Sequence, residues 1–199
     1  MNFLFPTFAA ARFPAMLRFA LTGALIASVY GAIHDQVSFA ISPEYFTKLK
    51  FRQFAWANAG WPPRVFASVV GVLATWWAGL FAGWFMARMG LDQFPSPQRR
   101  RTAIRAFSLV LAATIVAGTI GAAIGYFTSR GDVSGWDEWR EKLMLRDVPS
   151  FVIVAWLHGC GYAGALLGLI AALVYVRRQK RHMPIVGESG LAAIDTQQQ

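Results

Sequence analysis

The stretch that decides the fold is FVIVAWLHGCGYAGALLGLIAALVYV, residues 151–176, which contains no Asp, Glu, Lys or Arg. At ~1.5 Å rise per residue, about 20 apolar residues in an α-helix cross a hydrocarbon core ~30 Å thick. Soluble helices rarely run this far without a charged face, and 56% of the chain is hydrophobic. The stretch therefore predicts a membrane-spanning helix.

Three further apolar stretches have the same character, at residues 15–33, 65–89 and 104–127. Their only basic residues lie near the span ends, where a long side chain reaches the interface: Arg18, Arg88 and Arg105. Four such stretches predict an all-α polytopic membrane protein. We expect one four-span domain over residues 1–180, followed by a disordered cytoplasmic tail over residues 181–199.

Small residues recur four positions apart in each predicted span. The pairs and triplets are Gly23, Ala27 and Gly31; Gly79 and Gly83; Ala117, Gly121 and Gly125; and Gly164 and Gly168, preceded by Ala155 and Gly159. Small-xxx-small stripes allow the backbones of lipid-embedded helices to approach closely. This spacing predicts a compact transmembrane four-helix bundle, with the large aromatic residues of the second span facing lipid or lying near the interface.

The basic residues are distributed unevenly between the two ends of the predicted spans. The N-terminal segment, the second connection and the tail together hold 11 of the 19 Lys and Arg residues, with few acids. The positive-inside rule then places both termini in the cytoplasm. The net charge of +9 is thereby explained by topology and by anionic lipid head groups, and not by nucleic acid.

The connection between the first two spans begins HDQVSFAISPEYF, residues 34–46. Ser42, Pro43 and Glu44 match the start of a helix, with a Ser cap, Pro at the first position and an acid near the positive end of the dipole. The pattern predicts a short interfacial helix through about Trp56. The apolar side would carry Tyr45, Phe46, Leu49, Gln53 and Trp56; the alternation around Lys48–Arg52 would also suit a strand.

Two histidines fall on the small-residue faces of their spans. His34 lies three residues past Gly31, and His158 lies three residues before Gly161. Both should point into the extracytoplasmic half of the bundle, His34 at the interface and His158 about 10 Å below its outer end. Ionisable groups at such depth are usually paired or functional, but the simpler explanation for each histidine is a neutral ring that donates one hydrogen bond to the backbone of a neighbouring helix.

These histidines and the neighbouring polar residues form the candidate ligand-binding site. The set consists of His34, Asp35, Gln36, Glu44, Tyr45 and His158. Imidazole and carboxylate together suit zinc or iron, so His34, Asp35, Glu44 and His158 are candidate metal ligands. Two histidines on facing helices could alternatively ligate haem b, but the expected difference in depth between them opposes this.

Other chemistry receives no support from the sequence. Cys160 is the single cysteine, so an intrachain disulfide and a cysteine-based metal cluster are both excluded. The chain has no His-Glu-x-x-His pattern, and its glycines around residue 160 follow no strand, so they form no nucleotide loop. These observations favour a protein that is not an enzyme.

The segment YGAIHDQVSFAISPEYFTKLKF, residues 30–51, resembles a segment of a family of small bacterial inner-membrane proteins. The HDQ and SPEYF motifs carry the resemblance, which covers about a tenth of the chain. It implies an inner-membrane location and a functional region around the polar residues 34–36 and 44–45. It implies no activity, substrate or cofactor.

Three functional hypotheses follow from the sequence. The first is a binding, accessory or small transport component of the membrane with a polar cavity open to the periplasm. The second is a metal- or haem-dependent membrane enzyme that uses His34 and His158. The third is a structural subunit whose glycine stripes pack against a membrane partner or a second copy of the chain.

Overall fold

The computed structural model describes residues 10–182, and these residues form helices and connections without any strand. Four helices are long and apolar enough to cross a membrane: α1 (Phe13–Ile41), α3 (Pro63–Arg88), α4 (Ser96–Thr128) and α6 (Val148–Arg181). The short α2 (Phe51–Gln53) and α5 (Asp137–Leu143) lie in the first and third connections. The protein is an all-α four-helix membrane bundle, as the sequence predicts. The predicted tail lies outside the described residues, apart from Arg181 and His182.

Each of the four long helices begins with proline in its first turn, at Pro14, Pro63, Pro97 and Pro149. Proline suits this position because its missing N–H would have no intrahelical partner there and its φ angle is already helical. Asp147 also caps α6, accepting a hydrogen bond from the Ser150 N–H at 3.1 Å. The chain therefore marks the start of every span locally.

The bundle consists of two closely packed helix pairs, α1 with α3 and α4 with α6. In the first pair Gly23 faces Gly79 and Gly31 faces Gly71, so closely that a methyl group on any of the four would overlap the opposite backbone. In the second pair a Cβ at Gly164 would lie 2.5 Å from the Ala113 carbonyl oxygen. These contacts are the small-residue seams that the sequence predicts.

The two pairs meet mainly at the ends of the bundle, through two apolar clusters. One surrounds Phe46 and Phe151, and the other surrounds Met86 and Phe107. The outer faces are apolar, since Leu21, Leu25, Val29, Ile33 and Val37 recur every fourth residue along α1 and are all exposed. Trp76, Trp77, Phe81 and Phe85 of α3 are likewise exposed, which is the lipid-facing arrangement expected for a membrane bundle.

The first connection contains the predicted helix, with a different register. Ser42 caps it through its Oγ, which accepts a hydrogen bond from the Tyr45 N–H. Residues Tyr45–Lys50 are π-helical and continue into α2. Because a π-helical turn holds more residues than an α-helical turn, Phe51 packs inward while Gln53 and Trp56 are exposed. The sequence placed Gln53 and Trp56 on one side with Tyr45 and Phe46, whereas the structure buries Tyr45 and Phe46 and leaves Gln53 and Trp56 exposed.

Candidate functional site

Three predicted site residues meet between the two helix pairs. His34 and Asp35 lie on α1 and His158 lies on α6, and one ligand atom from each falls within 4.8 Å of the other two. Asp35 and His158 are each only 5% exposed. We call these three residues the His–Asp cluster. They are the one group of three or more His, Cys, Asp or Glu residues within residues 10–182 that is spaced to hold a metal ion.

The ring of His158 is oriented by its own helix. Its Nδ1 lies 3.0 Å from the Val154 carbonyl oxygen, one turn earlier in α6. A carbonyl only accepts hydrogen bonds, so Nδ1 carries a proton and donates it. Nε2 then points at Asp35, with its nitrogen 3.4 Å from Oδ1. This separation exceeds the ~2.7–2.9 Å of a charge-assisted hydrogen bond between these groups.

His34 completes the cluster from the residue before Asp35. Its ring contacts the ring of His158 edge to face, with centroids 4.8 Å apart and planes at 74°. Its Nδ1 lies 3.3 Å from the Tyr30 hydroxyl, one turn earlier on α1. This contact uses Nδ1, so Nε2 is the ring nitrogen of His34 that does not take part in it.

Aromatic side chains enclose the cluster. The Tyr45 ring stacks on His158 at 4.9 Å between centroids, and the Phe46 and Tyr162 rings lie at 6.4 and 6.2 Å from it. Burial raises the pKa of the Tyr45 phenol, and the nearby Tyr162 and Asp35 raise it further. The phenol therefore remains protonated at neutral pH. Asp35 and His158 lie under these rings and are both buried.

The position of His34 differs from the sequence prediction. We expected the first span to end at residue 33, which put His34 at the membrane interface and about a turn or two away from His158 in depth. Helix α1 continues to Ile41, because Asp35, Ser38 and Phe39 form a buried face that continues the helical spacing. His34 therefore lies seven residues, ~10 Å, inside the helix and at the depth of His158.

Two other predicted site residues lie elsewhere. Gln36 points at α3, where its Nε2 donates to the Arg64 carbonyl oxygen at 2.6 Å and to the Ser68 hydroxyl at 2.8 Å. Glu44 does not fold over the cluster: its Oε2 accepts the backbone N–H groups of Arg146 and Asp147, both at 2.9 Å, just before α6. Glu44 thus ties the first connection to the positive end of the α6 dipole.

Tyr30 and Tyr162 belong to the site, although the sequence analysis did not select them. Each lies four residues from a cluster histidine, Tyr30 before His34 and Tyr162 after His158. Side chains four residues apart lie on the same face of a helix. The spacing was a usable signal, and it would have identified both residues once the histidines were chosen.

The cluster geometry suits an ion better than a macrocycle. A tetrahedral ion with ligands at ~2.1 Å has ligand atoms about 3.4 Å apart, which equals the observed separation of His158 Nε2 and Asp35 Oδ1; the His34 ligand atom lies within 4.8 Å of the other two. Two imidazole rings in edge contact leave no layer between them for a porphyrin. The difference in depth that we expected to oppose haem does not exist, but this ring contact opposes it instead.

Comparisons of the chain with protein-family models, with curated proteins and with solved structures gave no significant match. The resemblance of residues 30–51 therefore stays a prediction, and the functional argument depends on the geometry of the cluster.

Proposed function

We propose that this membrane protein binds one divalent transition-metal ion, for which zinc is the best fit, through His34, Asp35 and His158. The observation that carries the proposal is the 3.4 Å separation of His158 Nε2 from Asp35 Oδ1. It is too long for a strong charge-assisted hydrogen bond and matches two neighbouring ligands of a tetrahedral ion. Two imidazoles and one carboxylate are ligands that zinc favours.

The hydrogen bonds around the cluster support the same assignment. Histidines that ligate metals usually donate their second ring N–H to a carbonyl, a carboxylate or water, which fixes the tautomer. His158 meets this requirement through Val154. His34 meets it when Nδ1–H donates to the Tyr30 hydroxyl, which leaves Nε2 as the ligand atom.

Electrostatics also favours a cation in this position. An ionised carboxylate inside a membrane bundle is costly unless it is compensated. When both histidines are neutral, the lone pair of His158 Nε2 faces the Asp35 carboxylate, and these two acceptors repel each other. A divalent ion between them binds both acceptors and, with the single carboxylate, leaves a net charge of +1. The alternative arrangement is a His158 imidazolium paired with Asp35, which needs neither His34 nor a metal.

The site joins the two helix pairs, because His34 and Asp35 come from α1 and His158 comes from α6. Three protein ligands leave a fourth tetrahedral position for water or for a ligand from a partner. We assign the protein a binding or accessory role in the membrane, in which metal occupancy holds the two helix pairs together. The His–Asp cluster lies toward the end of the bundle that carries Tyr45, whose ring stacks on His158.

We also propose a bacterial inner-membrane location with both termini in the cytoplasm, which places the His–Asp cluster in the periplasmic half. The bias in Lys and Arg supports this orientation. Single cysteines at Thr47 and Ser134 should react with a membrane-impermeant thiol reagent in intact cells. A cysteine at Ser96 should react only after the cells are opened. Labelling of a cysteine at Ser96 in intact cells would contradict this orientation and place the second connection outside the cytoplasm.

Cobalt binding tests the metal site directly. The full chain is purified in mild detergent with a histidine-free affinity tag, stripped with a chelator and titrated with Co²⁺, which gives visible d–d bands in tetrahedral sites. We expect one Co²⁺ per chain, displaced by Zn²⁺. The variants Asp35→Asn and His158→Gln should lose the bands, while His182→Gln, which removes the remaining histidine at the exposed end of α6, should keep them.

Far-UV circular dichroism and size-exclusion chromatography establish that each variant is folded. A parent protein that binds Co²⁺ no better than Asp35→Asn would refute the metal site. Equal loss in His182→Gln would show that the ion binds at the terminus and not in the bundle. Zinc at a free concentration of 100 times its Kd should stabilise the folded parent by ~2.7 kcal/mol, and this should appear as a higher unfolding temperature. The unfolding temperature of His158→Gln should not change.

A further inference from the structure

A long groove runs between α1 and α4, where the two helix pairs make little direct contact. Its larger part is a cavity of about 540 Å³, bordered on its apolar side by Phe19, Ile26, Phe107 and Leu111. A second cavity of about 390 Å³ continues along the same helices, shares Ile26 and Leu111, and reaches Ile115. Volumes of this size are typical of sites for small organic ligands.

One end of the groove is cationic. Ser96, Arg99 and Arg100 border it there, in the first turns of α4. Neither guanidinium forms an ion pair with a carboxylate of residues 10–182, and Arg99 donates a hydrogen bond to the Ser96 hydroxyl at 3.1 Å. No side chain caps the start of this helix, so its unpaired amides add positive potential at the same place.

The combination of one cationic end and a long apolar wall matches an anionic amphiphile. From Arg99 to Ile115 the α4 wall extends 16 residues, ~24 Å, whereas one leaflet of hydrocarbon is ~15 Å thick. A head group at the arginines can therefore extend an acyl chain along the groove to the bilayer centre and beyond. A free anion such as phosphate would leave the apolar wall uncovered.

We propose that the groove between α1 and α4 binds one anionic phospholipid, with its phosphate at Arg99 and Arg100 and an acyl chain against Ile26 and Leu111. The lipid fills the space that the two helix pairs leave between them. None of the three residues of the His–Asp cluster borders the groove, although Tyr30, which contacts His34, borders its second cavity. The proposed lipid site does not depend on metal binding.

Native mass spectrometry of the full chain tests the proposal. Delipidated protein in mild detergent is incubated with equal amounts of phosphatidylglycerol and phosphatidylcholine. We expect one phosphatidylglycerol per chain, retained at least tenfold better than phosphatidylcholine. The double variant Arg99→Gln/Arg100→Gln should lose this preference. The control Arg101→Gln/Arg105→Gln removes the same charge from exposed positions outside the groove and should keep it.

A second pair of variants examines the apolar part. Ser108 borders the groove whereas the neighbouring Leu109 is 39% exposed on the outer face. Ser108→Phe should therefore reduce retained phosphatidylglycerol at least tenfold, and Leu109→Phe should not. Equal loss in the two arginine double variants would refute a specific head-group site, and full retention in Ser108→Phe would refute occupation of the groove. Equal retention of both lipids, or of neither, would refute the proposal as a whole.

Discussion

The contact between Gly23 and Gly79 gives a quantitative test of how the first helix pair is held. A methyl group at residue 79 would overlap the Gly23 carbonyl oxygen and lie 2.5 Å from the Ala27 Cβ. Carbon atoms in contact are ~3.5–4.0 Å apart, so Gly79→Ala must separate α1 and α3 locally by about 1 Å. A gap of this size forfeits up to about half of the dispersion energy of the atoms beside it.

The expected cost of the clash is about 1–3 kcal/mol, toward the upper end because the obstacle is backbone and not a flexible side chain. Gly159→Ala is the matched control, since a methyl group there meets nothing within 4 Å and has only the gain in helix propensity. The unfolding constants of the two variants should therefore differ by about 5- to 150-fold.

Reversible unfolding in mixed micelles of a mild detergent and dodecyl sulfate, followed by circular dichroism, measures this difference. Gly23→Ala should cost a similar amount, and the double variant should cost less than the sum because one separation relieves both clashes. Equal unfolding free energies for Gly79→Ala and Gly159→Ala would refute the reasoning that this seam holds the pair together.

Two further predictions concern charged residues at the ends of the bundle. Arg12 donates to both carboxylate oxygens of Asp92, at 2.7 and 2.8 Å, and the Asp92 side chain is 3% exposed. Because removing one partner of a buried ion pair is costly, Asp92→Asn should lower the unfolding temperature. Asp137→Asn, which removes an exposed ion pair, should not. Burial lowers the pKa of Lys50, so the charged ammonium destabilises the folded state. This destabilisation is full at pH values below the lowered pKa and disappears as the pH rises to the ordinary pKa of lysine. Lys50→Met should therefore be more stable than the parent at pH 7, with a difference that shrinks by pH 10. A difference that stays constant between these pH values would mean that the ammonium is not desolvated.

The span number and the helix seams were predictable because both depend on local properties of the sequence. Hydropathy over about 20 residues identifies a span, and small residues four apart identify a seam. The pattern alone could not separate contact glycines from exposed ones. Gly164 packs on α4, whereas Gly159, five residues earlier, is exposed. At 3.6 residues per turn, five residues place Gly159 about 140° around the helix from Gly164.

The site was predictable only in part, since its geometry depends on how the helix pairs dock. The small-residue faces selected His34 and His158, and the adjacent Asp35 followed. The first span was assigned to end at its first polar residues, because hydropathy cannot recognise a carboxylate that is compensated by a histidine 123 residues away. Glu44 was misassigned for a similar reason: its partners are backbone amides of a distant connection, which leave no signature in side-chain composition.

The arrangement of the bundle as two helix pairs has a consequence for the order of assembly. The second pair begins after the short connection at Leu91–Gln93, so the seam between α1 and α3 and the Arg12–Asp92 ion pair use only the first half of the chain. That hairpin can close in the membrane while the rest is still being synthesised. His34 and Asp35 are then in place before His158 exists, and the proposed metal site is completed only when the last helix arrives.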